Sequence, residues 1–431
     1  MHKYQPKILW FKGPGTSRSF HPHQVLIKKG EVLELTGRWD AAGELFAAGL
    51  ETAGLAQHKE AMAECRTKLG WMLHKKGEDV RPLELLSQAK DYYLQTGQEE
   101  RLGAVLNKIG SIYNRQGDYQ KALECYVRSL ELGRKISSRY DITIALNNLG
   151  NLYGDMGDAS RSLECYREGL ALDEAAGDHY SASIEMGNMG WVYNSQGEFQ
   201  KAAECWQRQS EWAELIGDKH TKSVSLGNMA ALYIEQGDYV RGREHIDRRL
   251  VIARELGDKK GLSISLSHLA NLYRFTGNHQ QSRECFDQAV ALAREINLKY
   301  FLAVFLEEQA ELLYQMGLYP ESGTSCRQAL ETARALGKSD TIFKCRLLQA
   351  NLSSVDDKPG GLRQMEGLLD EYRQPKEQAQ IIYELFKLTG KEGHKQAALE
   401  LYRELCRTAP NSDNRVKLEE LEGYPAAHEK H

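Results

Sequence analysis

The residues of this chain best suited to chemistry are amides. Asn147, Asn148 and Asn151 stand close together, with Asn107 and Asn114 before them and Asn188, Asn194, Asn228 and Asn271 after. Asn148, Asn188 and Asn228 recur at an interval of forty residues. An asparagine side chain both donates and accepts, as a peptide group does. It is also a poor choice inside a helix, because it competes for backbone hydrogen bonds. Its return at one position therefore points to a task, and its chemistry suits holding the backbone of an extended peptide. Repeats stacked about 10 Å apart would match three extended residues at about 3.3 Å each. Trp191 and Phe275 offer side-chain pockets for such a segment. A second reading stands beside this one, in which the amides tie neighbouring helices together or meet only water.

Residue types that carry catalysis are present without the spacing catalysis needs. His428-Glu429-Lys430-His431 sets its histidines three residues apart where the HExxH of a zinc protease needs four, and no GxSxG occurs. Gly13-Pro14-Gly15-Thr16-Ser17 lacks the Gly-Lys-Ser/Thr ending of a phosphate loop, and reads as a turn. Cys125, Cys165, Cys205 and Cys285 each follow a glutamate at one position of the repeat, and no CxxC pair exists. On stacked helices about 8–10 Å apart they lie beyond disulfide reach, so they read as small packing residues in a reducing compartment. The thirteen histidines are scattered. The expectation is a protein that is not an enzyme and uses no cofactor or metal. A net charge of −4 supplies no basic field for nucleic acid. No apolar run approaches the roughly 18–20 residues of a membrane span. The run Ile8 to Phe11 is too short for a signal peptide, so a cytoplasmic location is expected.

The elements that must position these groups form a periodic array. Small residues stand at Gly30, Gly70, Gly110, Gly150, Gly190, Ala230, Ala270 and Ala310, and a second glycine follows each by seven, from Gly37 to Gly317. Leu146, Leu149, Gly150 and Tyr153 share one face of a helix that ends before its glycine. Ala122-Tyr126, Ser162-Tyr166, Ala202-Trp206 and Ser282-Phe286 open a second amphipathic helix. A further break falls at Gly97, Gly177, Gly217, Gly257 and Gly337, and the aspartates Asp178, Asp218 and Asp258 that follow three of them suit a helix N-cap. Each unit is thus helix, glycine turn, antiparallel helix, and the fold is an all-α solenoid of about ten hairpins. Residues 1–22 read as an N-terminal tail and 23–345 as eight forty-residue repeats. Residues 346–377 form a degenerate unit with a loop at Asp356–Gly361. Residues 378–423 recover a final unit, keeping Ala398, Tyr402, Leu405 and Pro410, plus a polar capping helix; 424–431 is a frayed tail. Some residues depart from the pattern: Lys29 and Gln309, Pro82, and Gln209 and Arg249, which replace a small packing residue.

Gly110, Tyr113, Gly117, Asp118, Tyr119, Ala122 and Tyr126 resemble the tetratricopeptide repeat pattern position by position. The forty-residue period and the Asn-Leu-Gly/Ala-x-Leu-Tyr core resemble its long-helix variety, found in kinesin light chains, Pins-type polarity adaptors and bacterial signalling arrays. The resemblance covers about residues 24–345. It implies a right-handed superhelix whose first helices line a concave groove. The groove residues it implies are Asn107 and Asn114; Asn147, Asn148 and Asn151; Asn188, Trp191 and Asn194; Asn228; and His268, Asn271 and Arg274. Lys68, Trp71, His74 and Lys75 in the second unit, against Glu307, Glu308 and Glu311 in the eighth, suggest a partner acidic at one end and basic at the other. The expected function is a scaffold or adaptor that binds a protein or peptide segment, with no nucleic-acid or membrane partner. Two alternatives are a peptide-responsive regulatory module of a signalling ATPase, cyclase or kinase, and self-assembly through the convex faces.

Overall fold

The computed structural model of the chain describes residues 21–78, 80–408 and 412–423. The expectations for the first twenty residues, for Pro410 and for 424–431 lie outside them. The described residues form helices joined by tight turns, with no strand among them. Helix α1 (Pro22–Leu35) folds back on α2 (Trp39–Leu55), α3 (Lys59–Lys75) on α4 (Val80–Thr96), and α5 (Glu99–Arg115) on α6 (Tyr119–Lys135). The array continues through α7 (Arg139–Asp155), α8 (Ala159–Ala175), α9 (His179–Ser195), α10 (Phe199–Leu215), α11 (Lys219–Glu235) and α12 (Tyr239–Leu256). It goes on through α13 (Lys259–Phe275), α14 (His279–Glu295), α15 (Lys299–Gln315) and α16 (Tyr319–Leu336). It closes with α17 (Ser339–Asp356), α18 (Lys358–Glu371), α19 (Pro375–Thr389), α20 (Glu392–Thr408) and α21 (Ser412–Gly423). These helices fall into two compact units, Met1–Leu172 and Asp173–His431, so the repeat does not mark where the chain divides.

Within a hairpin, the small residue on the first helix makes room for a large one sixteen positions later. A Cβ on Gly150 would come within 2.6 Å of the Tyr166 ring, and one on Gly190 within 2.4 Å of the Trp206 indole. Tyr166 and Trp206 are almost fully buried there. Where the second helix carries serine, its hydroxyl donates to the carbonyl of the small residue: Ser162 to Gly150 at 2.7 Å, Ser282 to Ala270 at 2.8 Å. All eight turn glycines have positive φ, from 73° at Gly37 to 92° at Gly77. The break between hairpins needs the same left-handed residue in every unit. Gly97, Gly177, Gly217, Gly257 and Gly337 supply it, but so do Gln57, Ser137 and Asn297, with φ of 51–54°. Asp178, Asp218 and Asp258 then cap the next first helix through backbone amides of its first turn, as Asp118 and Asp238 do for second helices.

The departures have physical reasons. Gln209 and Arg249 lie against glycines twenty-two residues earlier: a Cβ on Gly187 would be 2.3 Å from the Gln209 amide, and one on Gly227 2.4 Å from the Arg249 guanidinium. Large and small have been exchanged across the hairpin, which conserves packed volume. Buried Gln309 donates to Asp287 at 2.7 Å and accepts from Ser325. Pro82 falls in the first turn of α4, where its missing N–H costs nothing. The expected loop at 356–361 is not a loop. Asp357 alone joins α17 to α18 and caps the latter, accepting from Gly360 N at 3.0 Å. All eight cysteines are free. Burial pushes the Cys65 thiol up to about 12 and those of Cys125 and Cys165 up to about 11, far from a reactive thiolate.

Candidate functional site

In the first unit the predicted amides turn toward one another. Asn148 Nδ2 donates to Asn107 Oδ1 at 3.3 Å, linking α7 to α5. Asn107 is 8% exposed, so it supports its neighbour and does not present itself to solvent. Asn114 Nδ2 donates to Asp155 at 2.8 Å, again across forty-one residues. Asn151 Nδ2 donates to Asn147 Oδ1 at 3.2 Å, and the Tyr166 hydroxyl donates to Asn151 Oδ1 at 2.7 Å. Arg115 fixes α5 to the end of α3 through the carbonyls of His74 and Glu78.

The expected basic patch is largely neutralised. Lys68 pairs with Glu31 at 2.9 Å and Lys75 reaches Glu34 at 3.7 Å, while His74 is buried and stacks on Trp71. Lys108, not foreseen, enters a cavity of about 290 Å³ beside Trp71, Tyr93 and Arg101. Burial holds its ammonium below the usual lysine range, and its Nζ lies 5.3 Å from the Trp71 ring centre.

In the second unit the same positions behave differently. Asn188 and Asn228 are half-buried, and neither hydrogen-bonds another described side chain. The position that gives Asn148 its partner holds Gly187 in the case of Asn228, and Gly227 in the case of His268. The glycines that accommodate Gln209 and Arg249 thus leave these two residues without a neighbour to bind. Where that position again carries a side chain the link returns, with Ser267 donating to Glu308 at 2.9 Å. Trp191 is 54% exposed and rests edge-on against Trp206. Asn194 Oδ1 is buried without a donor. Burial, and then Arg249 nearby, push His268 down to about 3, so its imidazole is neutral.

His268, Asn271, Arg274 and Phe275 line a cavity of about 680 Å³. Arg274 Nη2 donates to Asn271 at 3.2 Å, and its guanidinium lies 4.6 Å from the Phe275 ring centre. Facing them are Glu307, Glu308 and Glu311 of α15, Lys344 and Asn351 of α17, and Tyr383 and Glu384 of α19. Helix α21 completes the wall with Asp413, Lys417 and Glu420 and packs against α11. The polar cap expected at this end therefore also lines the cavity. Glu307 is pushed up to about 7 by burial, although Lys344 approaches to 3.7 Å. Asn351 was missed, yet it continues the forty-residue count through Asn151, Asn271 and Glu311. Expecting the period to falter after Ala350 hid it; α17 runs on to Asp356.

The fold and these surfaces define a helical-hairpin solenoid that presents polar groups from its first helices. Residues 101–175, 141–211 and 221–295 match the family model for the tetratricopeptide repeat, and these stretches are tetratricopeptide repeats. No curated protein matches it in sequence. Among solved structures it is similar in fold to BtubC from P. vanneervenii, at 19% identity, covering 50% of this chain and 91% of that one, with a TM-score of 0.46. It is also similar to a Rap protein complexed with competence and sporulation factor, at 12% identity, 93% and 99% coverage and a TM-score of 0.49. The apo quorum sensor NprR from B. thuringiensis is similar at 14% identity, 86% and 98% coverage and a TM-score of 0.47. No helix among the described residues is long and apolar enough to cross a membrane.

Proposed function

We propose that this chain is a non-catalytic scaffold or adaptor that holds an extended peptide or protein segment on the first helices of its second unit. The observation that carries this reading is the pair Asn188 and Asn228, half-exposed and unbonded at one repeat position, next to Trp191 with 54% of its surface exposed. Unpaired amides can take the donor and acceptor of a peptide group together, and an exposed tryptophan supplies apolar area at low entropic cost. Among the twelve groove residues named from sequence, the reading gives Asn188, Trp191, Asn194, Asn228, His268, Asn271 and Arg274 the contact role. Asn107, Asn114, Asn147, Asn148 and Asn151 become supports. The test is a triple variant, Asn188→Ala, Trp191→Ala and Asn228→Ala, assayed for partner capture and thermal unfolding. Capture lost at unchanged stability supports the reading, and capture retained removes it.

A ligand-responsive regulator is the second reading. It is favoured by α21, which walls the cavity from the far end of the unit. In solution scattering such a regulator changes dimensions on adding its peptide, whereas a static scaffold keeps them.

A further inference from the structure

We propose that the cavity of the second unit is a cation subsite, which takes the guanidinium or ammonium of a basic partner residue between Glu311, Glu384 and the side-chain carbonyl of Asn351. This rests on the groove reading and gives one part of the groove a ligand chemistry.

Asn351 is the starting point. It is 6% exposed, it lines the cavity, and its Oδ1 has no donor among the described residues. The Asn351 side chain lies near the Glu384 carboxyl and favours its ionised form. The carbonyl has no donor, and a buried acceptor left unsatisfied costs roughly 1–3 kcal/mol. What completes it must be a donor.

The surroundings say which kind. Burial raises the Glu384 carboxyl above its usual range, and the Glu311 carboxylate adds to that rise, so two acids press on one space. Lys387 reaches Glu384 only at 3.7 Å, and Glu311 accepts from the neutral amide of Gln315 at 3.1 Å. Of the other lysines lining the cavity, Lys344 has Glu307 and Asp340, Lys417 has Asp413 at 3.1 Å while also acting on Glu384, and Lys376 has no ion-pair partner among the described residues. A donor that is also a cation satisfies the carbonyl and both carboxylates together. The space is far larger than an ion needs, and no group of three described metal-binding side chains is placed to hold one, so an organic cation fits. Lys417 gives a local precedent, its ammonium resting 5.5 Å from the Tyr383 ring centre on the same wall.

The test uses the full chain and three blocked tripeptides, tri-arginine, tri-lysine and tri-citrulline, titrated calorimetrically at fixed ionic strength. Tri-arginine or tri-lysine should bind and tri-citrulline should not, and the stronger of the first two shows whether guanidinium or ammonium is preferred. The variant Asn351→Leu changes no charge and should weaken binding about tenfold, the size of a lost charge-assisted hydrogen bond. Asn351→Asp should tighten it, so a folding defect cannot imitate both results. Glu311→Gln with Glu384→Gln should abolish it. Equal affinity in wild type and both Asn351 variants overturns the subsite, as does equal binding of tri-citrulline. Because the probes need neither Trp191 nor Asn188, failure here leaves the capture experiment above untouched, and the reverse also holds.

Discussion

Asparagines at equivalent repeat positions do opposite things in the two units. Asn148 spends its amide on Asn107, and Asn114 spends its own on Asp155. Asn228 has no such neighbour, because Gly187 stands where Asn107 would be. That glycine has its own cause, since it makes room for Gln209. A packing exchange within one hairpin thus leaves a polar group in the next repeat without the bond that its counterpart has. The side-chain types at positions 107, 147, 187, 227, 267 and 307 are Asn, Asn, Gly, Gly, Ser and Glu. The two glycines of this column stand behind Asn228 and His268; Asn188, unbonded although Asn147 stands at the matching position, does not follow from it.

The largest expected effect comes from the charged end of that column. Glu307 is held at about 7 in the fold, against an ordinary value of 4.5. An acid whose folded pKa is raised loses stability as pH rises from the unfolded value to the folded one, because the unfolded chain releases the proton more readily. Wild type should therefore weaken relative to Glu307→Gln between pH 4.5 and 7, by up to on the order of 3 kcal/mol. Denaturant titrations at pH 5 and 8 measure it, and parallel pH curves for the two proteins would place the carboxylate in a more watery setting.

Next in size is the asparagine pair. Asn148→Ala leaves buried Asn107 without its donor and should cost about 1–2 kcal/mol. Asn228→Ala removes nothing that is bonded and should stay within about 0.5 kcal/mol. Equal costs at the two positions would erase the distinction between the units.

The smallest effect concerns the breaks between hairpins. Ser137 in the first unit and Asn297 in the second both hold positive φ. Ser137→Gly should stabilise by about 0.5–1 kcal/mol, and Asn297→Gly by less, because asparagine tolerates the left-handed region better than serine. Melting temperatures of the two variants check the order.

Much of this fold was legible in the sequence because its signals are local. The turn glycines, the small residue under Tyr166 or Trp206, and the capping aspartates each act within about twenty residues. The relation of Gln209 to Gly187 was not legible, since each residue alone looks like a lapse from the pattern and only their contact shows an exchange. Gln57, Ser137 and Asn297 were passed over because a left-handed turn was expected to show itself as glycine. The candidate site was legible only as a set of positions. The count by forties picks out Asn188 and Asn228, which are unbonded, and in the first unit picks out residues that bind each other, because an amide that ties helices together looks the same in sequence as one left open. The approach of α21 to α11 has no local signal at all: nearly two hundred residues separate them.

The central claim is that the glycine at 187 frees Asn228 for a partner. The direct measurement is partner capture by a double variant, Gly187→Asn with Gln209→Ser, which places in the second unit the residue types that stand at the matching positions 107 and 129 of the first. The account predicts a protein at least as stable as wild type whose capture falls sharply, because Asn228 is now bonded. Undiminished capture by a folded double variant would contradict it.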